Sequence, residues 1–214
     1  WGSSYQLREA GPPPEGALPR RTQVSSGIVR LPDVFKSVSN AIAPKLYEAA
    51  VAHATAHLAL GGPRFEPGHL KQLQIVLVGL VEDARIEALA MRRFPGLFHL
   101  WSRFHTAEPS PLKTAPAIPA RLARALLEST YDDNDGIVSK ARALFNAEPD
   151  LGDPGLSRRI GGLIGNDIGQ MRLQFNAKLH VIEPLYRDDN LGLWNLPPLP
   201  PDAAVVLFTS GSTG

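Results

Sequence analysis

The stretch PGHLKQLQIVLVGLVEDARIEALAMRR, residues 67–93, carries the periodicity that decides the fold. Leu70, Leu73, Leu77, Leu80, Val81, Ala84 and Ala88 recur at spacings of three and four, which lays one apolar stripe along a helix. Proline stands at its start, where the missing N–H costs nothing. Glu82, Asp83, Arg85 and Glu87 interrupt the apolar pattern, and carboxylates so placed need partners wherever they are buried.

Reading outward, residues 43–60 (APKLYEAAVAHATAHLAL) form a second helix, with Pro44 in its first turn and Gly61-Gly62 as its stop. Further helices are expected at 119–130, 134–147 and 155–177, and a short strand at 179–183 (LHVIE). The run AAVVLF, 203–208, reads as a buried strand: short, β-branched and bounded by proline and glycine. Prolines cluster at 12–14, 109–119 and 197–201, and such clusters separate elements because proline lacks the backbone donor. The expected class is mainly α, a multi-helix bundle-like domain with a short β element near the C-terminus. Residues 1–24 are expected to be a disordered Pro/Gly-rich leader, 25–196 a helical adaptor domain, and 197–214 a Pro-rich linker with the truncated start of an α/β domain. Beginning at Trp1 and ending inside a glycine-rich motif, the chain is expected to be a piece of a longer protein.

Composition bounds the function. The 22 Lys+Arg and 21 Asp+Glu of the 214 residues leave a net charge of +1, without the basic surplus that nucleic-acid binding needs. The chain has no cysteine, so disulfides, thiolate metal sites and a cysteine nucleophile are excluded. With no apolar run long enough for a membrane span and no signal peptide at the amino end, a cytoplasmic location is expected.

Three groups of residues could carry chemistry. His53 and His57, four apart, put two imidazoles on one helix face about 5–6 Å apart, close enough to share a metal ion such as zinc or iron. Glu82, Asp83 and Glu87 of the next helix could complete the ligand set. The order His53-Ala54-Thr55-Ala56-His57 lacks the glutamate that serves as base in H-E-x-x-H metalloproteases, so hydrolysis by that route is not expected. The same histidines also suit a packing role, hydrogen-bonded to Glu82 or Asp83, with Arg85 and Glu87 in ion pairs. The second group is Tyr186, Arg187, Asp188, Asp189 and Trp194, which reads either as a partner contact or as a capped turn. The third is Thr209-Ser210-Gly211-Ser212-Thr213-Gly214 after the terminal strand, which suits a phosphate-cradling loop or a serine-based magnesium site.

The blocks LVEDARIEALAMRRFPGLFHLW (80–101), GNDIGQMR (165–172) and YRDDNLGLW (186–194) resemble the helical amino-terminal region of the nitric-oxide-reductase activation proteins. These are relatives of the von Willebrand factor A subunits of cobalt chelatase and of the Rubisco-activating co-chaperones. The resemblance spans about residues 25–196. It implies an accessory protein rather than an enzyme, with a MoxR-type AAA+ ATPase and a client enzyme as partners. It also implies a following von Willebrand factor A domain that binds magnesium. Matched to that domain's Asp-x-Ser-x-Ser motif, Ser210 and Ser212 fall on the serines, but Phe208 stands where the aspartate belongs. LFTSGSTG also looks like the phosphate loop of adenylate-forming ligases, which leaves an acyl-CoA-synthetase-like fragment as the alternative. A Pro-Lys-Gly after Gly214 in the parent gene would favour that alternative.

Overall fold

A computed structural model describes residues 1–2, 4–13, 21–35, 38–114, 116–171, 173 and 184–195. Among the described residues six α-helices follow three short strands: β1 (Gln6–Glu9), β2 (Gln23–Ser25), β3 (Ile28–Leu31), α1 (Ala43–Leu60), α2 (Gln72–Arg93), α3 (Leu97–Trp101), α4 (Ala117–Leu127), α5 (Gly136–Asn146) and α6 (Gly155–Gln170). The fold is mainly α-helical.

The central element is α2. One side of it, through Leu73, Leu77, Leu80, Val81 and Ala84, packs with Ile118 and Leu122 of α4, Phe145 of α5, and Ile160, Ile164 and Ile168 of α6. The other side, through Ile86 and Ala90, joins Leu46, Ala49 and Ala50 of α1, together with Trp101 and Tyr186. With both sides covered, the middle of α2 is buried all round, and Glu82, Asp83, Arg85 and Glu87 are buried with it. α6 approaches α2 closely at its glycines. A Cβ on Gly161 would stand 2.5 Å from the Cα of Val78, so only glycine permits that crossing.

Helix ends follow local chemistry. α2 starts at Gln72, later than the proline suggests, because Gly68 takes φ +53° and breaks the turn. The Gln74 side chain then accepts from the Lys71 N–H at 2.9 Å and caps the real start. α5 begins where Asp135 accepts from the Ile137 N–H at 2.9 Å. α6 ends at Gln170, short of the expected 177.

The amino-terminal segment, expected to be a disordered leader, contributes strands. β2 and β3 are antiparallel and joined by Ser26-Gly27, and β1 lies parallel to β3 on its other side. Both turn residues have positive φ, 45° and 79°, the requirement of a two-residue hairpin turn whose twist matches the strands. Strands of three and four residues without strong alternation give little periodic signal, which is why the sequence hides this sheet. Residues 184–195 return to the fold by main-chain pairing: Asp189 N donates to Thr22 O (2.9 Å), Phe65 N to Leu193 O (2.7 Å) and Asn195 N to Phe65 O (2.9 Å). The expected strands at 179–183 and 203–208, and the loop Thr209–Gly214, lie outside the described residues.

Candidate metal centre

α1 presents His53 and His57 to α2 on one face, as their spacing predicts, with ring centroids 4.7 Å apart. Opposite them stands Asp83, and from the returning segment comes Asp188. One ligand atom from each of the four lies within 4.8 Å of all the others, and all four residues are buried. His57 Nε2 is 3.2 Å from Asp83 Oδ1 and 3.8 Å from Asp188 Oδ1. His53 Nε2 is 3.6 Å from Asp83 Oδ1 and 3.4 Å from Asp188 Oδ1. Of these approaches only His57–Asp83 has hydrogen-bond geometry. Both ring nitrogens of His53, and Oδ1 of Asp188, are buried without a hydrogen-bond partner.

A second layer surrounds the cluster. His53 Nδ1 lies 3.1 Å from Glu87 Oε1. Glu87 is held by Arg187, whose Nε and Nη2 donate to its two oxygens at 3.0 and 2.7 Å, and by the Tyr186 hydroxyl at 2.8 Å. The hydroxyl proton is thereby committed to Glu87. His105 Nε2, 2.9 Å from the same oxygen, must therefore be the donor in that contact. Asn190 donates from its side chain to Asp83 Oδ2 (3.2 Å) and from its backbone to Asp188 Oδ2 (3.3 Å). Its own φ is 58°, a conformation that asparagine tolerates better than most residues.

Charge is arranged accordingly. Burial alone would raise the Glu87 carboxyl, but the Arg187 guanidinium overrides it and holds it at about 2. Burial likewise works against charge on Asp83, yet its imidazole and guanidinium neighbours pull its pKa below the usual range. Burial would depress His53, and the carboxylates of Asp188, Asp83 and Glu87 reverse that and raise it well above its ordinary value. Burial takes His105 down to about 3, with Arg187 adding to the effect, so this ring is neutral.

The sequence-derived candidates separate in the structure. His53, His57 and Asp83 meet in the cluster, and Glu87 stands behind it. Glu82 faces the other way: Arg85 donates to it from Nε (2.8 Å) and Nη2 (2.6 Å), and Ser157 Oγ from α6 at 2.6 Å. Neighbouring residues on a helix point about 100° apart, so Glu82 and Asp83 cannot serve one site. The expected partner-contact segment turns inward. Tyr186, Arg187, Asp188 and Trp194 are all buried, because the segment plugs the groove between α1 and α2, so they offer no docking surface. Asp189 anchors locally, accepting from Gln23 Nε2 at 3.0 Å. Sequence reasoning placed Asp188 in a turn and did not connect it to the histidines. The available signal was that two charged blocks, 82–87 and 186–190, both lie between apolar stretches, so that either would need charged partners if buried. Among the described residues no helix is long and apolar enough to cross a membrane. No protein-family model, curated protein or solved structure matches this chain.

Proposed function

We propose that this chain is the helical adaptor module of a von Willebrand factor A-type co-chaperone, working with a MoxR-type AAA+ ATPase to activate or metallate a client enzyme. The observation that carries this reading is the convergence of the three resembling blocks on α2. Residues 80–101 include most of α2 itself. Gly165, which opens the second block, packs against Gln74, where a Cβ would come within 2.7 Å of its side chain. The third block supplies Arg187 and Tyr186 to Glu87, and Tyr186 stacks on Trp101 with ring centroids 6.1 Å apart.

Blocks that interlock in this way fix the shape of a scaffold. In such a module the ATP chemistry belongs to the partner, and this chain contributes a rigid body whose outer helix faces dock. Since residues 186–188 and 194 are buried, docking falls to those outer faces rather than to the charged segment. Affinity purification of the full-length parent with its MoxR-type ATPase tests the reading. Co-elution, with a changed ATPase rate, is the expected result. A parent protein that neither retains the ATPase nor alters its rate overturns it.

A further inference from the structure

We infer that His53, His57, Asp83 and Asp188 form a closed, four-ligand site for a divalent transition ion of the zinc type, which ties residues 184–195 to the α1–α2 pair. This inference is independent of the adaptor reading, since it concerns a site and not a partner.

The distances carry it. For bonds of roughly 2.0–2.1 Å to imidazole nitrogen and carboxylate oxygen, tetrahedral geometry places ligand atoms about 3.3–3.4 Å from one another. The four histidine-to-aspartate separations run from 3.2 to 3.8 Å, bracketing that value. A hydrogen-bonded network would show contacts of about 2.7–3.2 Å with donors aimed at acceptors, and of the four only His57–Asp83 does so. Here His53 and Asp188 Oδ1 are buried and make no such bond. Buried polar groups are rarely left so, and a cation at the centre would satisfy His53 Nε2 and Asp188 Oδ1 together, while Nδ1 faces Glu87.

The surroundings suit an ion as well. Glu87 stands behind the Nδ1 of His53, as carboxylates do when they orient an imidazole whose other nitrogen binds metal. Asn190 holds the outer oxygens of both aspartates, which leaves the inner ones to point at the centre. Two nitrogens and two oxygens form a donor set that zinc accepts. With every position filled by protein, the site has none left for water or substrate, so its role is structural.

The test uses the whole chain. Protein purified without chelator and without an affinity tag that binds metal should contain close to one equivalent of zinc by elemental analysis. Metal-free protein given Co2+ should show the intense visible bands of a tetrahedral ion, which Zn2+ then displaces. Zinc at about a hundred times its Kd should raise Tm by roughly 5–10 °C over the metal-free protein. Asp188→Asn and His57→Gln should each remove most of that shift, and Lys45→Ala should retain it. Metal-free protein whose Tm and spectrum do not respond to either ion overturns the inference, whether or not the variants fold. So does a cobalt spectrum that survives intact in Asp188→Asn.

Discussion

The two sides of α2 both bury charge, and they do so in opposite ways. Toward α6, Glu82 receives two bonds from Arg85 and one from Ser157, while Arg85 also donates to Leu151 O at 2.8 Å. That network is closed. Toward α1, Asp83 and Asp188 face two histidines with only one hydrogen bond among the four groups, and His53 makes none. Side chains four residues apart or closer on one helix thus serve two purposes. A satisfied buried pair fixes how helices cross, whereas a convergent, unsatisfied set of donors is a place for something else to bind.

Carboxylate and guanidinium substitutions should separate the two sides. The largest effect is expected from Arg85→Met, which strands Glu82 in the interior and should cost about 3–5 kcal/mol in urea unfolding, with or without zinc. Asp188→Asn should behave differently. In metal-free protein it removes one of several converging negative charges and should change stability by only about 1 kcal/mol. Its cost appears when zinc is added, as the loss of the stabilisation seen in the unaltered chain. If Asp188→Asn proved as damaging as Arg85→Met without metal, the distinction between the two sides would be gone.

Gly161→Ala probes the closed side through packing. The added methyl meets the backbone of α2 and should destabilise by about 1–3 kcal/mol by overpacking, again without any dependence on metal.

A smaller effect is expected from acid at a third network, where Arg121 and the Tyr131 hydroxyl both bind Asp133. Burial opposes charge on Asp133, but these donors lower its pKa from 3.8 to about 2. A depressed carboxylate stabilises the fold above its unfolded pKa, and this contribution is lost as pH falls from about 4 toward 2. Chemical unfolding followed across that range should show a loss that Asp133→Asn lacks. Least of all should come from Lys45→Ala, which removes an exposed pair with Glu48 and should shift stability by no more than about 0.5 kcal/mol.

Much of the helical frame was legible in the sequence. α1 falls at Ala43–Leu60 as expected, and α2 is displaced only at its start. The histidine pair and Asp83 were legible too, because spacing of four on a helix is a local property. The sheet was not, since its strands are short and β1 joins β3 across the eighteen residues of chain between them. Glu82 was assigned to the same cluster as Asp83, and the structure parts them, because nothing local states which side of α2 faces the histidines.

Backbone periodicity and proline placement, acting over a few residues, determined that this chain is helical and that two imidazoles share a face. Which carboxylates those imidazoles meet was decided by the crossing of α1, α2 and α6 and by the return of residues 184–195 into the groove. Asp188 reaches Asp83 from 105 residues away, and no interaction shorter than the whole fold can place it there.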